Sequence, residues 1–124
     1  MSIYGKAYPA TIRMLYSQWL HKTAQDTFLL KVKQYSKLLN VKIRKITVKS
    51  MKARWGAITK LAGINLNSNL IKAPEDVIDY IIIHELCHFI IKGHSHHFWK
   101  LMRSYYPRYE DALKWLDANS SAML

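Results

Sequence analysis

Hydrophobic positions along this chain follow two periods, and the changes between them divide it into three parts. From Pro9 to Asn40 the spacing is helical. Ile12, Leu15, Tyr16, Trp19 and Leu20 fall three and four residues apart, as do Phe28, Leu29, Val32, Tyr35, Leu38 and Leu39. Pro9 suits a first helical turn and Asn40 a C-terminal stop, while Thr23 to Asp26 leaves open one long helix or two. The period then shortens. Ile43 to Lys49, rich in β-branched residues, is expected as a strand, Arg54 to Thr59 as a second, and Ile64 to Leu70 as a third after a turn at Lys60 to Gly63. Three strands so close in sequence predict a small antiparallel meander. Helical spacing returns at Ala73-Pro74-Glu75-Asp76, with proline at the first position and acids in the first turn. That helix is expected from Pro74 to Ile91, with Gly93 as its stop. Ser95 can cap a further helix, His96 to Tyr105, and after Pro107 a last one covers Arg108 to Ala118. The fold class is α+β: an N-terminal helix or helices over 9–40, a small three-stranded, mainly antiparallel sheet over 43–70, and three helices over 74–119 packed on one face. Residues 1–8 are expected to be loosely held.

Composition narrows the setting. A chain of 124 residues, half of them hydrophobic, is sized for a single domain, 1–124, with one core and is not a disordered segment. The only cysteine is Cys87, so no intrachain disulfide can form and a reducing compartment is the natural home. No stretch approaches the ~18 apolar residues of a spanning helix, and no basic-then-apolar leader opens the chain, so no membrane partner and a cytoplasmic location are expected. The net charge of +11 is unevenly placed, because Thr27 to Pro74 holds eleven Lys or Arg and no Asp or Glu. A solvated basic surface is the plain reading of that 27–74 segment. Nucleic acid is the acidic partner it would suit.

The chemistry concentrates in Tyr80 to Trp99, which carries five of the six histidines and one glutamate in an apolar run. His84, Glu85 and His88 form an H-E-x-x-H pattern. Residues four apart on a helix share a face, so His84 and His88 can grip one cation, and Glu85 can reach a water beside it without displacing a ligand. Buried histidines are most often ordinary core residues. Here an ionisable Glu85 beside two histidines in a core helix is costly unless a metal compensates. A catalytic zinc site takes three protein ligands, and His94, His96, His97 and Glu110 are the candidates for the third. His94 is favoured, because a left-handed turn at Gly93 can fold the chain back towards the first two ligands. Glu110 and His97 remain open. Cys87 reads as an inert buried thiol.

Several separated stretches carry a resemblance. Met51-Lys52-Ala53-Arg54-Trp55-Gly56, Gly63-Ile64-Asn65-Leu66-Asn67, Leu70-Ile71-Lys72-Ala73-Pro74, Val77-Ile78-Asp79-Tyr80, His84-Glu85-Leu86-Cys87-His88, and His94-Ser95 followed by Phe98-Trp99 occur in that order. Together they resemble the YgjP-like metallopeptidases, a branch of zincins related to the SprT-like and WLM proteins. The resemblance spans roughly Lys45 to Leu116. It implies a minimal zincin-like domain in which His84, His88 and His94 bind Zn²⁺ and Glu85 is the catalytic general base. Two departures, Ala57-Ile58 where the family usually has Ser-Cys and Ser68 where it usually has Trp, fall in the expected strands and bear on the substrate groove.

The function expected is zinc-dependent hydrolysis of a polypeptide substrate laid along a sheet edge formed by one of the Arg54 to Leu70 strands, with proteins bound to nucleic acid as one substrate class. Tyr105, Tyr106, Arg108 and Tyr109 are candidates to steady the oxyanion. The rival expectations are a basic nucleic-acid-binding module and a latent zincin scaffold, each with a non-catalytic metal site. Oligomeric state is not legible.

Overall fold

The computed structural model describes residues 9–123. The expectation for residues 1–8 lies outside the described residues.

The N-terminal helix, α1, is a single element, Ala10–Leu39. The stretch from Thr23 to Asp26 does not break it. Ala24 is fully buried there, and Lys22 pairs with Asp26 one turn on, 3.0 Å apart. Asn40 ends α1 in the left-handed conformation, φ 57°, as its position suggested. The buried stripe of α1 is Ala24, Phe28, Val32 and Leu39, whereas Ile12, Leu15, Trp19, Leu29 and Leu38 are exposed. Apolar spacing in the first turns of α1 therefore gave the period correctly and the core face incorrectly.

The strands are β1, Lys45–Lys49; β2, Gly56–Ile58; and β3, Gly63–Asn67. Their order is β1-β3-β2, with β1 parallel and β2 antiparallel to β3. The expected meander is thus corrected to a mixed sheet. Burial gives the reason. Ile64, Leu66 and Asn67 are all fully buried, so β3 takes the centre, while lysine-bearing β1 takes an edge. The third strand also ends earlier than Leu70, because the Asn67 side chain accepts from the Asn69 amide and starts a 3₁₀ turn over Ser68–Lys72. Ser68 therefore lies in that turn and not in a strand. The Asn67 amide group donates to the carbonyls of Met51 (2.8 Å) and Arg54 (2.9 Å), and its backbone N–H donates to Trp55 (2.9 Å). One buried side chain thus fixes the crossover between β1 and β2.

The central helix, α2, runs Glu75–Cys87 and is buried nearly all round through Val77, Ile78, Tyr80, Ile81, Ile82, Ile83, Leu86 and Cys87. Lys31 of α1 bridges its first turns, 3.1 Å from Glu75 and 2.7 Å from Asp79. The helix stops four residues before the expected Ile91. Past Cys87 the amides of His88, Phe89 and Ile90 reach back only three residues, the tighter turn geometry of a fraying end. Helix α3, His96–Tyr105, buries Phe98 and Met102, and α4, Tyr109–Met123, buries Tyr109, Ala112 and Leu116 and continues beyond Ala118. Helices α1, α3, α4 and strand β2 all pack on α2. No helix among the described residues is long and apolar enough to cross a membrane.

Candidate metal centre

Three imidazoles converge where α2 ends. His84 stands on its last turn, His88 caps it, and Gly93, at φ +76°, reverses the chain and returns His94 to the same point. A Cβ at Gly93 would meet nothing within 4 Å, so the glycine serves the backbone conformation alone. The Nε2 atoms form a near-equilateral triangle: 3.3 Å from His84 to His88, 3.2 Å from His88 to His94 and 3.2 Å from His94 to His84. A tetrahedral ion with nitrogen ligands at ~2.0–2.1 Å sets those nitrogens roughly 3.3–3.4 Å apart, so the triangle has the size such an ion requires.

Hydrogen bonding fixes which ring nitrogen is bare. His88 Nδ1 lies 3.2 Å from the Ile91 carbonyl, which only accepts, so Nδ1 carries the proton and Nε2 presents its lone pair to the triangle. His84 Nδ1 meets the Tyr80 hydroxyl at 3.1 Å, one helical turn earlier. These are the outer partners that orient metal-binding imidazoles. Electrostatics favours the neutral form of the His84 and His88 rings. Burial, then the neighbouring His88 and His94, push His84 down to about 3, and burial lowers His88 as well. Lone pairs gathered this closely repel one another unless a cation lies between them.

Aromatic rings set the positions of the imidazoles. Phe98 stacks on His88 at 4.4 Å and meets His84 and His94 edge-on at 5.0 and 5.1 Å. Trp99 stacks on His94 at 5.9 Å and on Tyr109 at 5.3 Å, tying the exposed His94 to α4. In the sequence Phe98, Trp99 and Tyr80 stand out only as parts of the family motifs, with no role at the site. The four-residue interval from Tyr80 to His84 was the available signal.

Glu85 lines a cleft of about 270 Å³ together with His84, Arg54, Trp55, Tyr80 and Leu116. β2 crosses directly over it. A Cβ on Gly56 would stand 3.1 Å from Glu85 Cγ, 3.2 Å from Leu66 Cδ2 and 3.3 Å from the Asn65 carbonyl. Burial raises the Glu85 carboxyl to about 7, with Arg54 pulling it back. Cys87 is fully buried, and burial alone raises its thiol to about 11. A second cleft, about 420 Å³, opens at the other end of β2 between Ile58, Lys60, His88 and Lys92. A groove of about 640 Å³ between α1 and the 3₁₀ turn is lined by His21 and by none of His84, His88 and His94.

Among the described residues His84, His88 and His94 are the group whose ligand atoms lie close enough to share an ion, all within 4.8 Å of one another. Glu110 and His97 fall outside it. Glu110 sits in the first turn of α4, and His97 lies beside His96 with ring centres 5.9 Å apart.

The fold is similar to that of two solved metallopeptidase zymogens. Abylysin of Pyrococcus abyssi superposes with a TM-score of 0.65 at 19% identity, covering 75% of this chain and 95% of that one. Jannalysin of Methanocaldococcus jannaschii superposes with a TM-score of 0.62 at 27% identity, covering 73% and 95%. No curated protein sequence matches. The YgjP-like metallopeptidase-domain profile matches residues 4–119, nearly the whole chain and all of the histidine cluster, and the chain belongs to the YgjP-like metallopeptidase family.

Proposed function

We propose that this chain is a zinc peptidase in which His84, His88 and His94 hold the metal and Glu85 is the general base. The observation that carries the reading is the Nε2 triangle, whose 3.2–3.3 Å edges suit a tetrahedral ion and whose lone pairs face inward. When bound, Zn²⁺ polarises the scissile carbonyl and lowers the pKa of water to about 7. The rest falls to the chain. Glu85, beside His84 in the smaller cleft, takes the proton from the attacking water and returns it to the leaving amine. The Ile91 carbonyl holds His88 in the tautomer that leaves Nε2 free, and the Tyr80 hydroxyl oxygen, accepting from Nδ1–H, would do the same for His84. Zinc is favoured over harder ions because all three ligand atoms are imidazole nitrogens.

The substrate edge is β2. β3 is paired on both sides, whereas β2 is an edge with a cleft at each end and Glu85 beneath Gly56. An extended polypeptide adding to β2 would bring a peptide bond over the site. Ala57 and Ile58, the positions that depart from the family pattern, lie on this strand.

Docking on nucleic acid, and hence action on nucleic-acid-bound proteins, is a second reading. It draws on the basic 27–74 segment, where Lys31 is the one residue of the eleven in an ion pair among the described residues. A cytoplasmic site of action goes with the free, buried Cys87.

Metal analysis tests the ligand set. The purified protein should bind one zinc per chain, His94→Ala should lose tight binding, and Glu110→Ala should keep it. The reverse pattern would move the third ligand to α4 and defeat the proposed site.

A further inference from the structure

The two clefts at the ends of β2 share a feature that the metal site does not need. Each is lined by exposed cations. Arg54 stands in the cleft that holds Glu85, and Lys60 and Lys92 stand in the cleft beside His88. Glu85 is the only acidic residue lining either cleft. Among the described residues, none of the three cations forms an ion pair.

Arg54 is placed by the fold. Its carbonyl accepts from the buried Asn67 side chain at 2.9 Å, and the next carbonyl, of Trp55, accepts from the Asn67 amide at 2.9 Å. Trp55 itself is nearly buried and donates through its indole N–H to Ser120 of α4, 2.9 Å away. The backbone of Arg54 is therefore pinned from two elements, and its charge is near enough to Glu85 to act on it. At the far end, Lys60 follows β2 in the turn to β3, and Lys92 precedes the Gly93 reversal. The cations thus bracket the strand that a substrate would pair with.

We propose that the substrates of this site are acidic polypeptide segments, with carboxylate side chains on both sides of the scissile bond, one paired with Arg54 and the other with Lys60 and Lys92. The inference rests on the peptidase reading above and names its substrate class. Two physical reasons favour carboxylates. An exposed guanidinium in a partly apolar cleft is suited to a planar, two-pronged carboxylate. The +11 charge of the chain also draws acidic segments towards the site and repels basic ones.

The test uses the zinc-loaded full chain and phosphinic pseudopeptides that span the cleavage position, binding being followed by calorimetry so that turnover is not required. The pseudopeptides carry Glu, Gln or Lys on either side of the phosphinic group. Glu compounds should bind about threefold to tenfold more tightly than Gln compounds at each position, and Lys compounds more weakly than both. Arg54→Glu should invert the order on one side only. The double variant Lys60→Glu, Lys92→Glu should invert it on the other, with circular dichroism confirming that both remain folded. Equal affinities for Glu, Gln and Lys compounds would overturn the inference and leave the metal site standing. Failure of every pseudopeptide to bind would bring down the peptidase reading and the inference with it. An oligonucleotide that displaces the Glu compounds, and loses that ability with the same charge swaps, would assign these cations to a polyanion and also overturn the inference.

Discussion

Replacing Asn67 with alanine should destabilise the protein far more than a single polar deletion usually does. The side chain is fully buried and makes three hydrogen bonds: its amide donates to the carbonyls of Met51 (2.8 Å) and Arg54 (2.9 Å), and its oxygen accepts from the Asn69 amide (3.0 Å). A hydrogen bond is worth about 1 kcal/mol net, and each partner left unmet in the interior adds about 1–3 kcal/mol. The Met51–Arg54 loop is partly exposed, so water can reach some of these groups. A loss of about 3–4 kcal/mol is therefore expected, which corresponds to a fall in Tm of roughly 12–15 °C. Asn67→Asp keeps an acceptor for Asn69 but turns a carboxylate towards two carbonyls, and should cost at least as much. Urea denaturation of the metal-free protein measures this, with the slope m unchanged and the midpoint lowered. A loss under 1 kcal/mol for Asn67→Ala would show that this side chain does not hold the β1–β2 crossover.

Other predictions follow from the same contacts. Tyr80→Phe removes the hydroxyl that meets His84 Nδ1 at 3.1 Å and should weaken zinc affinity about 10–100-fold, with little change in thermal stability, as measured by competition with a chromogenic chelator. Gly56→Ala places a Cβ 3.1 Å from Glu85 Cγ and 3.3 Å from a backbone carbonyl, so β2 must lift. It should cost about 1–3 kcal/mol and reduce peptidase turnover while zinc stoichiometry stays at one per chain, and full turnover would contradict the close approach of β2 to Glu85.

The histidine cluster was more legible than the sheet because its information is local. The interval between His84 and His88 places both rings on one helical face, and Gly93 is the residue that admits the φ of +76° returning His94 to them. Even the early end of α2 did not disturb this, since His88 is still held at the helix terminus. Strand pairing depends on partners distant in sequence. Ile43 to Lys49 looked like one strand of a meander, and nothing nearby in sequence says that Lys45 to Lys49 pairs in parallel with Gly63 to Asn67 across an intervening strand. The side chain that arranges this, Asn67, was read as one more residue of a strand through Leu70. Helix α1 shows a related limit. Apolar spacing at Ile12, Leu15 and Trp19 marks a helix, but the stripe that meets the core begins only at Ala24, and burial is set by where the other elements end. Phe98 and Trp99 were legible only as part of the family motif. Their packing against three imidazoles required the α3 position that only the folded chain supplies.

The central claim is that Glu85 acts on water at a metal held by His84, His88 and His94. The direct test is cleavage of an unfolded polypeptide by the zinc-loaded protein and by its Glu85→Gln variant, with bound zinc measured in both. The expected result is one zinc per chain in each and a fall in rate of about 10²–10⁴-fold in the variant. Equal rates with zinc bound in both would contradict the account.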